Sequence, residues 1–365
     1  MKTSRRKFIA RTGSVLAASS LATLGAETRP SKPARPAPGG SSATRIIDCQ
    51  SHLFSPDIVA LMEGRNSDPR VFTRDGVRFL QMGDWMRKIL PHYLDVDAKL
   101  ATMDRNGIAL TALSMNDPGP EWFGSDGPAV ARVANDFVAD VVRQHSRRFF
   151  GLCLLPLQDQ RASEIELDRC TEKLGMKGIL LYTNLAGQFP DEPQFRWLFA
   201  RAAKMELPIL LHPAKPLTIE FVKGYEMTSS LGNMFDNTIA LTRIIMSGIL
   251  DEYPRLKLVC PHLGGTLPYI IGRLDHQTQV LKRGPKNLTR APSEYLRQVW
   301  LDIVSPLPSA MRYAYDFMGA KRLLFASDHP WVEPSLILED LRGLKLPQAD
   351  EKLILSQNAD ALFNL

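Results

Sequence analysis

Four side chains able to bind a metal ion each follow a short apolar run in this 365-residue sequence. They are His52, His212, His262 and Asp328. If the apolar runs are parallel strands, their polar ends meet at one mouth of a barrel or one edge of a sheet, where α/β proteins place their chemistry. Imidazole nitrogens together with one carboxylate suit a divalent transition metal such as zinc. The pattern therefore predicts a metal centre.

Two further polar residues precede His52 in the same run. Gln50 lies two residues before His52, so on a strand both side chains point to one side and can reach one ion. Asp48 shares that alternation but lies deeper, and we expect it to support the site. His329, directly after Asp328, is expected to point away from the site as a structural histidine.

The elements that must position these residues are eight short apolar runs alternating with helical segments. Most runs are continuously hydrophobic, as expected of strands buried on both faces. Over roughly 320 residues this alternation predicts a (β/α)8 TIM barrel. The alternative is an open doubly wound sheet, but its GxGxxG loop after the first strand is absent. The predicted strands are Ile46–Cys49, Ala109–Met115, Phe149–Leu155, Gly178–Tyr182, Pro208–His212, Lys257–Cys260, Val299–Ile303 and Leu323–Ala326.

One connection, from about residue 55 to 94, is long for a loop in a compact domain. We therefore predict a functional lid inserted after the first strand. The lid contains five arginines, one of which could hold a substrate carboxylate through two parallel hydrogen bonds. Each of them is otherwise expected to be a solvated surface charge. These arginines are Arg65, Arg70, Arg74, Arg78 and Arg87.

The first 44 residues are expected to be an export leader. Ser4-Arg5-Arg6-Lys7-Phe8-Ile9 is similar to a twin-arginine signal, so residues 1–26 are interpreted as a signal peptide and the protein as periplasmic. The apolar stretch that follows is too short and too polar for a membrane anchor. Residues 27–44, rich in Pro, Gly and Ser, are predicted to be a linker, and residues 45–365 the folded domain.

The net charge of +6 also belongs to the leader. Residues 1–45 hold nine Lys and Arg and one Glu, whereas residues 46–365 hold 36 basic and 38 acidic residues. The folded part gives no electrostatic reason to expect a nucleic-acid partner. Four cysteines in an exported protein allow disulfides, but none forms a CxxC pair, and buried free thiols are the preferred interpretation.

With these motifs in order, the sequence resembles the amidohydrolase superfamily, in the branch of aminocarboxymuconate-semialdehyde decarboxylase and related carboxy-lyases. The resemblance covers nearly all of residues 46–365 and implies a TIM barrel of the metal-dependent hydrolase type. The motifs that carry it are Met103–Ile108, Leu155–Gln158, Glu166–Cys170, His212-Pro213, His262–Gly265, Ser327–Pro330 and Asn358-Ala359 with Leu362-Phe363.

The resemblance also implies a role for each matching residue. His52, His212 and Asp328 correspond to metal ligands, and His262 to the catalytic acid/base. If the reaction is hydrolysis instead, Asp328 or His262 is expected to pass a proton to the leaving group, which would give Asp328 a second, catalytic role. The bridging lysine of binuclear relatives has no match, because the fourth strand ends at Tyr182, so one divalent metal ion is expected.

Gln50 departs from the family pattern, which has His-x-His in the first strand. Three interpretations remain open. The amide oxygen of Gln50 could bind the metal, which would favour a harder ion such as manganese over zinc. Water could fill the position instead. The site could also have lost both metal and catalysis.

The function that the resemblance implies is metal-dependent, non-oxidative decarboxylation of a small aromatic or unsaturated carboxylic acid. The alternative is metal-dependent hydrolysis of a lactone, ester or amide, which needs the same ion and the same base. A non-catalytic binding protein on a degenerate barrel is a third hypothesis, supported by Gln50. We also expect a homodimer.

Overall fold

Two β-sheets contain all eleven strands found in residues 44–365, the part of the chain that the computed structural model describes. The predicted signal peptide lies outside the described residues, as does the linker except for Thr44. The strands are β1 (Ile46–Leu53), β2 (Arg70–Arg74), β3 (Val77–Met82), β4 (Trp85–Ile89), β5 (Ile108–Met115), β6 (Phe149–Cys153), β7 (Gly178–Tyr182), β8 (Ile209–His212), β9 (Leu258–Cys260), β10 (Trp300–Asp302) and β11 (Leu323–Leu324).

The larger sheet is the predicted barrel. Its eight strands run parallel in the order β1-β5-β6-β7-β8-β9-β10-β11, which is also their order along the chain. The ends of this sheet meet through backbone hydrogen bonds from Cys49 N to Phe325 O (3.0 Å) and from Asp328 N to Gln50 O (3.0 Å). Strands such as β1 and β7 are buried along their whole length. The (β/α)8 fold is therefore confirmed, and all eight predicted strands correspond to observed ones.

Helices surround the barrel and connect its strands. The helix α3 (Gly127–Gln144) shows why they form, since its apolar residues recur at helical spacing and are buried against the barrel strands. The α-helices are α1 (Pro56–Glu63), α2 (Val96–Arg105), α3 (Gly127–Gln144), α4 (Gln160–Glu172), α5 (Arg196–Met205), α6 (Ile219–Val222), α7 (Asn233–Met246), α8 (Ile249–Glu252), α9 (Leu267–Asp275), α10 (Pro292–Leu296), α11 (Pro308–Met318), α12 (Pro334–Gly343), α13 (Gln348–Lys352) and α14 (Asn358–Phe363).

The insertion after β1 has its own secondary structure. It begins with α1, whose N-cap Ser55 accepts a hydrogen bond from the Ile58 backbone N–H. The antiparallel strands β2, β3 and β4 follow as a small sheet. Asp75 and Gly76 form the two-residue turn between β2 and β3, and both have positive φ (52° and 74°), as this tight hairpin turn requires. The lid is thus an ordered sheet, which we call the lid sheet.

The four cysteines are free and buried, as predicted. Cys49, Cys153 and Cys260 lie on barrel strands, and Cys170 lies on α4. Within residues 44–365 no helix is both long and apolar enough to span a bilayer.

Candidate metal centre and active site

Three predicted ligands lie together at the C-terminal mouth of the barrel. His52 comes from β1, His212 ends β8, and Asp328 lies in the loop after β11. One donor atom from each falls within 4.8 Å of the others. The two imidazole Nε2 atoms are 3.0 Å apart, and His52 Nε2 is 3.3 Å from Asp328 Oδ1. We call this group the metal cluster.

The protonation states of the three residues in the metal cluster favour binding of a cation. His212 Nδ1 donates to the Pro213 carbonyl (2.7 Å). In the neutral ring, the lone pair of His212 Nε2 is then available to a metal ion. Burial lowers the pKa of both His52 and His212, so both rings are neutral at physiological pH. Burial alone would raise the pKa of Asp328, but its contacts with His262 and His52 hold that pKa below its usual range. Two neutral imidazoles and a carboxylate are the donor set that zinc and manganese accept.

Gln50 lies beside the metal cluster, next to a bulge in β1 between Asp48 and Ser51. Its Nε2 donates to Asp328 Oδ1 at 3.1 Å. Its Oε1 is buried and accepts no hydrogen bond from any described residue. A buried amide oxygen that lacks a donor can be satisfied by a cation. The residues present therefore fit a bound metal ion.

His262 lies at the edge of the metal cluster, in the loop after β9. Its backbone is held in the left-handed region (φ 54°), and its N–H donates to Asp302 Oδ1 at 2.7 Å. Its ring Nε2 is 3.4 Å from Asp328 Oδ2, and its Nδ1 is 3.1 Å from Asn237 Nδ2. Burial acts to lower the pKa of His262, but the nearby Asp328 carboxylate outweighs burial, so the pKa of His262 is raised above its usual value. A divalent cation on Asp328 would oppose that increase, because like charges disfavour protonation.

A buried network supports the metal cluster from behind. Asp48 accepts hydrogen bonds from the Ser327 backbone N–H (2.9 Å) and the Ser327 hydroxyl (2.6 Å), which fixes the loop before Asp328. Lys99 of α2 is fully buried, and its Nζ is 3.0 Å from His329 Nδ1 and 2.5 Å from the Ser51 hydroxyl. His329 thus points to Lys99, as its predicted structural role requires. Nothing in the local sequence around Lys99 indicated this role.

A cavity of about 150 Å³ opens above the metal cluster, between the barrel mouth and the lid sheet. Among the five lid arginines, only Arg87 lines this cavity. The Arg87 guanidinium forms an ion pair with Asp117 and donates to Asn116 Oδ1 at 2.9 Å. It also stacks on Trp85 and Trp331, with 4.8 and 4.9 Å between the guanidinium carbon and the ring centroids. The cavity therefore combines a cation, aromatic walls and the metal cluster.

The other four lid arginines have partners outside the cavity, as predicted for surface charges. Arg65 donates to the Pro69 carbonyl, and Arg70 pairs with Asp68. Arg74 stacks on Phe79, and Arg78 pairs with Glu63. Several cavity residues were not predicted from the sequence because they carry no local motif, among them Asn116, Asp117, Asn233 and Trp331. Asn237, which contacts the ring of His262, was not predicted either.

A (β/α)8 barrel that gathers two histidines and one aspartate at its C-terminal mouth is typical of amidohydrolases. Residues 47–365 match the family model described as Amidohydrolase, so the chain belongs to that family. The predicted resemblance is thereby confirmed.

Among individual relatives, the chain is similar to gamma-resorcylate decarboxylase of Rhizobium sp. (strain MTP-10005), with 30% identity over 299 residues, 78% of this chain and 91% of the relative. It is 27% identical to 2-amino-3-carboxymuconate-6-semialdehyde decarboxylase of Dictyostelium discoideum over 274 residues, 71% and 74% of the two chains. A solved dihydroxybenzoic acid decarboxylase of Polaromonas sp. JS666, with bound manganese and the inhibitor 2-nitroresorcinol, superimposes with a TM-score of 0.74 and 26% identity, over 88% of this chain and 97% of that one.

Proposed function

We propose that this protein is a metal-dependent, non-oxidative decarboxylase of a small aromatic carboxylic acid. The observation that carries the proposal is the metal cluster with His262 at its edge, beneath a cavity walled by Trp85, Trp331 and Arg87. The relatives named above are decarboxylases of carboxylic acids, and this supports decarboxylation over hydrolysis.

His52, His212 and Asp328 would hold one divalent ion, zinc or manganese, with the Gln50 amide oxygen as a fourth donor. The manganese in the Polaromonas relative supports this assignment. When bound, such an ion anchors and polarises the oxygen atoms of the substrate. A neutral amide oxygen in place of an imidazole favours the harder ion, manganese.

The side chains around the cavity supply the remaining functions. Trp85 and Trp331 provide aromatic faces against which a flat ring can pack. Arg87 places a positive charge in the wall, and its pairing with Asp117 fixes where that charge lies. The lid sheet contributes Trp85 and Arg87 to the cavity wall, and in this proposal it would limit the access of water to the substrate.

His262 would move the proton. It donates a proton to the ring carbon that bears the carboxylate, and a new C–H bond forms there. The bond from that carbon to the carboxylate then breaks, its electron pair returns to the ring, and carbon dioxide leaves. Solvent returns a proton to His262, so the reaction needs no redox cofactor.

The experiment is an assay of manganese- and zinc-loaded protein on hydroxybenzoates, including 2,6-dihydroxybenzoate, with release of carbon dioxide as the readout. In deuterium oxide the product should carry one deuterium at the former carboxylate position. His262→Asn should keep its metal and lose roughly 10²–10⁴-fold in kcat. His212→Ala should lose the metal, whereas His145→Ala, a matched histidine in a remote loop, should retain it. Cleavage of lactones, esters or amides without carbon dioxide release would replace this function with hydrolysis.

Three further properties are part of the proposal. The twin-arginine motif at Arg5 and Arg6 supports export to the periplasm. The slightly acidic folded part supports a small-molecule substrate and no nucleic-acid partner. A homodimer is proposed as the assembly, and light scattering of the purified protein tests it.

A further inference from the structure

A cavity of about 400 Å³ lies at the N-terminal end of the barrel, opposite the metal cluster. Its walls come largely from the segments that lead into β9, β10 and β11, whereas the metal cluster lies at the other ends of the barrel strands. We call this cavity the basal pocket. Its lining includes Tyr253, Arg255, Leu256, Lys257, Trp300 and Arg322.

The basal pocket is cationic. Arg255, Lys257 and Arg322 line it, and its lining contains no acidic residue. In residues 46–365 as a whole, by contrast, acidic residues slightly outnumber basic ones. Among the described residues, Arg255 and Lys257 each form one ion-pair contact, with Glu206 at 3.9 Å. Because that distance exceeds a hydrogen bond, both cations keep donors free for a ligand.

Arg322 is the cation of this pocket without an anionic partner among the described residues. Its guanidinium stacks on the ring of Trp300, with 4.0 Å between the guanidinium carbon and the ring centroid. Burial lowers the pKa of Arg322, and no carboxylate of the described residues offsets this effect. The stack covers a face of the guanidinium, so the N–H donors in its plane remain available to an oxyanion.

The remaining wall of the basal pocket is mainly apolar. Leu256 and Val299 are buried, and the ring of Tyr253 is half-buried beside them. A volume of about 400 Å³ is within the range of small-molecule sites. The lining therefore suits a ligand that joins a charged oxyanion to a small apolar body.

We propose that the basal pocket is a second binding site, which takes a small organic phosphate. Three cations and no acidic residue in the lining favour a doubly charged phosphate ester over a singly charged carboxylate. Arg322 would bind two phosphate oxygens through parallel hydrogen bonds, and the apolar wall would contact the organic part of the ligand. Binding there does not involve the metal ion, so it is independent of the reaction at the other end of the barrel.

The first test is calorimetric titration of the metal-loaded full chain with phenyl phosphate. Arg322→Gln should weaken binding by roughly 10–100-fold, because it removes charge-assisted hydrogen bonds to the phosphate. Arg322→Lys, which keeps the charge but not the planar fork, should lose less. Lys257→Gln should also weaken binding, and it provides a second measurement if Arg322→Gln does not fold. Arg161→Gln, at an exposed arginine of α4 that does not line the pocket, should bind as the wild type does.

His212→Ala separates the basal pocket from the metal cluster, since this variant should lose the metal ion and still bind phenyl phosphate. Loss of binding in His212→Ala, together with full affinity in Arg322→Gln and Lys257→Gln, would place the ligand on the metal cluster and overturn the proposal. Absence of binding by the wild type would overturn it as well.

The second test locates the ligand. Crystals of the metal-loaded full chain are soaked separately with 4-bromophenyl phosphate and 4-bromobenzoate, and the anomalous scattering of bromine marks the position of each. We expect the phosphate ester in the basal pocket, with its ring against Leu256. Bromine peaks confined to the metal cluster would refute the second site, and occupancy of the basal pocket by 4-bromobenzoate alone would refute its assignment to a phosphate.

Discussion

Gln50 is the residue at which this protein departs from the family pattern, and it contacts Asp328 directly. Its amide nitrogen holds Asp328 Oδ1, and its buried oxygen has no donor among the residues described. In the proposed site, this one side chain would therefore hold the ligand Asp328 in place and also offer its own oxygen to the metal ion.

We predict that Gln50→His tightens zinc binding and lowers manganese-supported activity, because imidazole is the better donor for zinc. The measurement is a titration of both proteins with each metal, followed by bound metal and by turnover. Ser305→His, which adds an imidazole on the loop after β10, serves as the control for a non-specific effect. An unchanged preference between the two metals would mean that Gln50 does not tune the site.

Glu121 gives a prediction on stability. Its two carboxyl oxygens are buried without a hydrogen-bond donor, and burial raises the pKa of Glu121 from 4.5 to about 8. The folded state therefore holds this proton more tightly than the unfolded state does. As a result, the free energy of unfolding falls as the pH rises from about 4.5 to about 8. Above that range the decrease is complete.

Glu121→Gln replaces the titratable carboxyl group with a neutral amide, so no charge is buried at high pH. The variant should therefore be more stable than the wild type at pH 8 by roughly 2–4 kcal/mol, with little difference at pH 4.5. Urea unfolding at several pH values measures it, and the exposed Glu172→Gln is the control. A constant difference between the wild type and Glu121→Gln across this range would contradict the prediction.

The site residues that could be predicted from the sequence are those that lie at or just after the end of a barrel strand. His52, His212 and Asp328 each lie at the end of a short, largely apolar run, so a local pattern locates them and the barrel brings them together. Asn237 and Asp117 have no such pattern. Asn237 lies within a helix, and its significance depends on a contact with a residue 25 positions away, which no local spacing reveals.

At the scale of elements, the barrel strands were predictable and the lid sheet was missed. Buried parallel strands are continuous apolar runs, and this is a strong signal. The strands of the lid sheet are only five or six residues long, and each has just one or two buried residues among partly or fully exposed ones. The Asp75-Gly76 pair was the local indication of a hairpin, and together with the β-branched and aromatic residues on either side of it would have identified β2 and β3.

Arg87 joins the lid sheet to the barrel, because its partner Asp117 is buried in the loop after β5. We predict that Arg87→Met destabilises the protein by about 3 kcal/mol, since it leaves Asp117 buried without a counter-charge. Chemical denaturation measures the loss. Adding Asp117→Asn to Arg87→Met should restore part of it, and an additive loss in the double variant would show that the two residues act separately.

At the scale of the whole molecule, the chain divides its charge between a basic segment, residues 1–45, and a slightly acidic remainder, residues 46–365. We predict that replacing both Arg5 and Arg6 with Lys leaves the precursor in the cytoplasm, because the twin-arginine route recognises the Arg pair. Cell fractionation followed by immunoblotting measures the distribution. Lys2→Arg, which keeps the leader charge, should be exported normally. Periplasmic accumulation of the double variant would exclude this route.

The four buried thiols have a practical consequence for spectroscopy. Burial raises the pKa of Cys49 and Cys260 well above the usual value, and Cys153 and Cys170 are equally inaccessible, so none should react with maleimides in the folded protein. A cysteine introduced at the exposed Thr73 on β2 would then be the single labelling position of the native chain. A fluorophore or spin label attached there would report whether the lid sheet moves when an aromatic acid is added.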